Sequence, residues 1–119
     1  MSETLCEICG LAAVRVIART SAGIVAVPDR IARAGHVMVV SAAHATTFAG
    51  LGPDGTEAFM ALVAATSRDA EAASPVRRCY VLRIGDKSPH LHFHIVPVGD
   101  GDPPLAPHVF GDDGWSGSL

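Results

Sequence analysis

The stretch that decides the fold is His90-Leu91-His92-Phe93-His94-Ile95-Val96-Pro97, in which histidine alternates with apolar residues at a period of two. Successive side chains of a β-strand point to opposite faces, so this alternation predicts a strand with Leu91, Phe93 and Ile95 toward a core. His90, His92 and His94 then line the reverse face, each roughly 7 Å from the next. Three imidazoles in a row are costly unless each finds a hydrogen-bond partner, because they repel when protonated and need partners when buried. An imidazole near neutral pH is a nucleophile, a general acid or base, or a metal ligand. Its neighbours can donate N–H bonds to oxygens on which charge develops. The row therefore points to chemistry at an anionic centre, with His92 in the middle.

Working outward, short β-like runs surround this segment. Val14 to Ile17 and Ile24 to Val27 flank Ser21-Ala22-Gly23 and read as a hairpin. His36 to Ser41 is a third run, opened by Gly35 after a loop from Arg30 to Ala34. Arg78 to Ile84 precedes the histidine segment across Gly85-Asp86-Lys87-Ser88-Pro89. Between the two groups of strands, Phe59, Leu62, Val63 and Thr66 sit at helical spacing. Asp54, with Glu57 three residues on, resembles a helix N-cap, and Ser74-Pro75 is a stop signal. One long helix from about Thr56 to Ala73 is expected. Strand-rich order with one main helix favours an α+β fold with an antiparallel sheet. Residues 1–98 read as a single domain and 99–119 as an irregular acidic tail. That tail holds four Asp, three Pro and no Lys or Arg, yet also Val109, Phe110 and Trp115, so part of it is expected to pack back on the domain.

Composition narrows the function. The 119 residues are 49% hydrophobic and 18% charged, enough for one core and too apolar for a disordered chain. A net charge of −3 disfavours nucleic acid as a partner. No run is long enough to span a bilayer, and the N-terminus lacks a signal-peptide pattern, so a cytoplasmic location is expected. Three Cys in a reducing compartment argue against a disulfide framework. Cys6-x2-Cys9 reads equally as two free thiols or as two ligands of a structural zinc, with partners among His36, His44, His108 and the histidine row. Cys79 reads as a small core residue. Arg77 and Arg78 read as a solvated strand entrance, Asp112 and Asp113 as solvated acids, and His108 as surface. Trp115 reads as packing or as stacking on a base.

His90 to Val96 resembles the signature of the histidine triad (HIT) family, His-φ-His-φ-His-φ-φ with φ apolar, at every position. Asp29, then Gly35-His36-Val37-Met38-Val39-Val40 and His44, is similar to the family's segment upstream. Cys6-x2-Cys9 is similar to the start of its zinc-binding prokaryotic members. The likeness spans about residues 6–98. It implies a HIT-like α+β domain with a five-stranded antiparallel sheet, one long helix and one short helix, acting as a homodimer. It implies a hydrolase or transferase that binds a nucleotide, purine preferred, and cleaves a nucleotidyl phosphoramidate or dinucleoside polyphosphate at the α-phosphate. His92 would be the nucleophile that forms a nucleotidyl-histidine. His94 would contact phosphate oxygens, and His90 would orient the site or ligate metal. Zn²⁺ would be held by Cys6, Cys9, His44 and His90. Asp29 would bind the ribose hydroxyls, and His36 would lie near the site. Where the family has Gly-Gln-Ser/Thr before the first His, this chain has Gly85-Asp86-Lys87-Ser88. Gly85, Lys87 and Ser88 are the candidate phosphate contacts there, with Lys87 as a cation in place of the amide and hydroxyl. Two other readings fit the residues: a hydrolase using zinc-bound water, and a nucleotide-binding module without catalysis.

Overall fold

The computed structural model describes residues 15–73, 75–84 and 89–103. The strands are β1 (Val16–Arg19), β2 (Gly23–Ala26), β3 (Val37–Ser41), β4 (Val76–Leu82) and β5 (His92–Gly99), with one helix, α1 (Phe48–Glu71), among the described residues. The strands form a five-stranded sheet in the order β1-β2-β3-β5-β4, antiparallel at every pairing. The expected α+β class and antiparallel sheet are both present. No described helix is long and apolar enough to cross a membrane.

The strand carrying the histidines lies inside the sheet, between β3 and β4. Val40 faces His92 and Met38 faces His94 across one ladder, and Leu82 faces His94 across the other. Pairing with β3 ends at Val37↔Ile95, two residues before Pro97, which has no N–H to offer a ladder. Directly opposed residues share a face, so the alternation sorts the sheet into two sides. On one side Leu91 and Ile95, both 0% exposed, join Val25, Val39, Phe59 and Val63 beneath α1, with Phe93 packed against them. The reverse side holds His92 and His94 with Met38, Val40 and Val96. That side is as buried as the helix side: Met38, Val40 and Val96 are 0% exposed.

The helix differs from the expectation in its start. It begins at Phe48, eight residues before Thr56, with Thr47 as N-cap accepting a hydrogen bond from the Gly50 N–H at 3.1 Å. Gly52, at φ 75° and ψ 172°, interrupts the helical backbone, and Pro53 restarts it. Proline suits the first helical position because its absent N–H would have no partner there. Asp54 is thus inside the first turn of the second segment rather than its cap. The acid remains well placed for the helix dipole, which explains why the local pattern resembled a cap. The strand limits otherwise shift by one or two residues from those expected.

Gly23 and Gly52 make a testable contrast. A Cβ on Gly23 would run into the Val40 carbonyl oxygen of the adjacent strand, and backbone cannot give way cheaply. At Gly52 nothing lies within 4 Å, and only the left-handed φ opposes a side chain. Gly23→Ala is expected to cost about 3 kcal/mol and Gly52→Ala about 1 kcal/mol. Urea unfolding of the two variants checks the order, and a Gly52→Ala loss equal to that of Gly23→Ala would contradict it.

Candidate functional site

Four of the candidate histidines are buried together: His36 at 2%, His90 at 3%, His92 at 1% and His94 at 0% exposure. The triad comes from β5 and the residues just before it. His36 comes from the loop that enters β3. The ring centroids of His92 and His94 are 5.1 Å apart, and those of His36 and His94 are 5.0 Å apart.

Backbone groups fix where each ring keeps its proton. The Ala32 N–H can only donate, and it donates to His36 Nδ1 at 2.9 Å. Neutral His36 therefore carries its proton on Nε2, which lies 2.9 Å from His94 Nδ1. His94 Nδ1 accepts that proton's hydrogen bond, so the proton of neutral His94 sits on its Nε2. His92 is set the other way. Its Nδ1 lies 2.7 Å from the His90 carbonyl, which can only accept, so Nδ1 bears the proton. His92 Nε2 is left with a lone pair, buried and with no hydrogen-bond partner among the described residues. Two adjacent rings thus present opposite characters: a basic nitrogen on His92 and an N–H donor on His94.

His90 is fixed by the end of β3. Its Nε2 donates to the Ser41 carbonyl at 2.9 Å, with the Ser41 hydroxyl oxygen at 3.3 Å, while that hydroxyl donates to the Ala43 carbonyl at 2.6 Å. The lone pair of neutral His90 then lies on Nδ1. His44 packs edge-on against His90, with centroids 4.9 Å apart. Two of the four expected zinc ligands therefore meet, and His90 has the carbonyl-bound N–H that typically orients a ligating imidazole. Cys6 and Cys9 lie outside the described residues, and among the described residues no group of three or more His, Cys, Asp or Glu could hold a metal.

Burial governs the charges. It pushes His36 down from 6.5 to about 4. It also lowers His90 and His92; for His92 the His90 carbonyl opposes the shift, while the nearby charges of His90 and Arg83 add to it. Arg83 is a contact that sequence reasoning missed. Its guanidinium donates to the Thr46 carbonyl at 2.5 Å and acts electrostatically on His92. Arg77 and Arg78 are engaged elsewhere, Arg77 with Asp100 at 2.9 Å and Arg78 over the Tyr80 ring at 5.6 Å. Ser41 and the Ala32 N–H were also missed. Their role is a matter of backbone position, which residue type does not signal. Asp29 is exposed in the loop after β2. Gly85, Lys87 and Ser88 lie outside the described residues, as do His108, Asp112, Asp113 and Trp115. Cys79 is half-buried on the helix side, where burial raises its thiol pKa, in keeping with a core residue.

No family model and no curated protein matches this chain. A solved structure of a hypothetical protein from Leishmania major shares the fold, with a TM-score of 0.66 and 22% identity over 92% of this chain and 89% of that one.

The His36 network has a pH signature. The unfolded chain takes up a proton on this residue near 6.5 and the folded chain only near 4, so the unfolded state binds more protons in between. Stability is full above pH 6.5 and falls as pH drops toward 4, by up to about 3 kcal/mol from this residue. His36→Gln should lose about that much less between pH 7 and pH 4 than the parent does. Urea midpoints at the two pH values measure it, and equal losses in both proteins would refute the assignment.

Proposed function

We propose that the protein is a hydrolase or transferase that cleaves a nucleotidyl phosphoramidate or dinucleoside polyphosphate at the α-phosphate, through a covalent intermediate on His92. The observation that carries this reading is the buried lone pair of His92 Nε2, left without a hydrogen-bond partner among the described residues because Nδ1 donates to the His90 carbonyl, and set beside an imidazole of the opposite tautomer. In the first step the Nε2 lone pair forms a bond to phosphorus. The bond from phosphorus to the leaving nitrogen or oxygen breaks, and the leaving group takes the electron pair and a proton from water. The His94 Nε2–H supplies a hydrogen bond to a phosphate oxygen as the charge there grows. Nucleotidylated His92 is a cation with its proton on Nδ1, and the His90 carbonyl 2.7 Å away stabilises it. In the second step water attacks phosphorus, the N–P bond breaks, its electron pair returns to Nε2, and the water's proton passes to solvent. Burial of His92 keeps bulk water from Nε2, so the substrate phosphate must displace whatever covers this face before attack.

Several residues complete the reading. Asp29 would hold the ribose hydroxyls of a purine nucleotide, and Gly85, Lys87 and Ser88 the phosphate. Zinc would be held by His44 and His90 with Cys6 and Cys9. It would cross-link the chain beside the site, a structural task for which thiolates and imidazoles are suited.

With an adenosine phosphoramidate as substrate, His92→Ala is expected to lower turnover by on the order of 10³-fold or more while AMP still binds. Rapid quenching of the parent protein is expected to trap an acid-labile nucleotidyl adduct that the variant cannot form. Undiminished turnover in His92→Ala with no adduct would replace this mechanism by one using metal-bound water. Nucleotide binding with no turnover across such substrates would leave a binding module.

A further inference from the structure

The turn that follows β5 is closed twice. The Asp102 N–H donates to the Gly99 carbonyl at 3.2 Å, and Gly101 takes φ 85°. These are the marks of a type II turn, which needs a positive φ at its third residue. The Asp102 side chain closes it again, Oδ2 accepting the Gly99 N–H at 2.7 Å. A carboxylate oxygen is thereby set at a defined point beyond the end of the strand.

The same oxygen lies 3.6 Å from Arg33 Nη1, in the loop between β2 and β3, and Arg33 Nη2 donates to the Pro103 carbonyl at 2.7 Å. Arg33 Nη1 is buried and has no hydrogen-bond partner among the described residues, so its charge depends on Asp102 for compensation. Without that carboxylate the guanidinium gains by turning out into water, and the loop loses its hold.

The loop needs such a fastening. Residues 27–36 hold no helix or strand, and Asp29, Arg30, Ile31, Ala34 and Gly35 are exposed. Segments of this kind open at little cost. Two neighbouring peptide groups in it hold His36. The Ala32 N–H donates to His36 Nδ1 at 2.9 Å, and the His36 N–H donates to the Arg33 carbonyl at 3.1 Å. His36 Nε2 in turn meets His94 Nδ1 at 2.9 Å. The contacts form a circuit. It leaves β5 at Gly99, crosses to the loop through Asp102 and Arg33, and returns to β5 at His94.

We infer that Arg33 and Asp102 are positioning residues for the histidine site: their pairing holds the Ala32 N–H on His36 and so keeps the His94 proton on Nε2. A released loop would let His36 change tautomer, and His94 would then exchange its proton between its two ring nitrogens. The consequence for catalysis rests on the reaction proposed above, whereas the consequence for the rings does not. In that reaction the His94 Nε2–H meets charge that grows only as phosphorus is attacked, so its loss weakens the transition state more than substrate binding.

Asp102 is 43% exposed, and ion pairs of that kind add little to overall stability, so Asp102→Ala and Arg33→Ala should both fold, as circular dichroism would report. Nitrogen-15 labelling of the full chain, with two-bond proton–nitrogen correlations near neutral pH, reads the tautomer of each imidazole. The parent is expected to show His94 with its proton on Nε2 and His92 with its proton on Nδ1. In both variants the two His94 nitrogens should shift toward intermediate, averaged positions. His92 should keep the parent pattern, because its bond to the His90 carbonyl lies within the β5 segment and does not pass through the loop. With adenosine phosphoramidate, kcat should fall about tenfold at a KM within about twofold of the parent value. Parent-like His94 signals in both variants would overturn the inference. So would His92 losing its pattern together with His94, which would mark a general loosening of the sheet. The tautomer readings need no substrate, so they decide this inference even if no phosphoramidate is turned over, a result that would overturn the reaction alone.

Discussion

The Ala32 backbone N–H has one proton and cannot accept another, and the character of the site follows from that constraint. It obliges His36 to accept at Nδ1, so His36 donates from Nε2, so His94 accepts at Nδ1 and keeps its proton on Nε2. The His90 carbonyl imposes the opposite order on His92. In water an imidazole exchanges tautomers freely. Here burial makes an unsatisfied donor or acceptor costly, so each ring keeps one tautomer, and neighbouring rings in one strand acquire different chemistry. A row of three identical residues is thereby divided into unlike parts.

Burial on both faces of β5 is what makes this division hold. A histidine row on an open sheet face would titrate near 6.5 and lose its order on protonation. Instead Met38 and Val40, which oppose His94 and His92 across the ladder, form a dry floor, and desolvation keeps His36, His90 and His92 below their ordinary range. The cost is that His36 must be buried neutral, so the arrangement loses stability toward acid.

Much of this was legible in the chain. The period-two alternation of His90 to Val96 set the faces of β5, and the neighbouring β runs fell within one or two residues of the strands. That His36 lies near the triad, and that His44 and His90 share a site, was expected from resemblance rather than spacing, and the contact of His36 with His94 was not foreseen, because 58 and 46 residues separate these pairs in sequence and no local pattern spans them. The helix start was obscured because Gly52-Pro53 reads as a breaker, whereas Thr47 caps an extra turn and Thr56 Oγ1 donates back to the Phe48 carbonyl at 3.1 Å, tying the two segments together. Most of the groups that fix the tautomers are main-chain atoms, and every residue type carries those. Residue identity therefore named the rings but could not assign their protons.

The loop before β3 joins the two sides of the molecule. Ala32 and His36 hold the His94 tautomer on one face, while Arg33, between them in sequence, fastens the chain after β5 and, with Ala34, lines a hollow of about 190 Å³ on the other. Gly35, at φ 87°, lets the loop make this crossing, and a Cβ there would stand 3.0 Å from Pro97 Cγ. A backbone shift of these five residues, Ala32 to His36, would therefore disturb both the contacts to the chain after Gly99 and the hydrogen bond that sets His94. Order on the apolar side of the sheet and proton position on the histidine side are two consequences of one loop conformation.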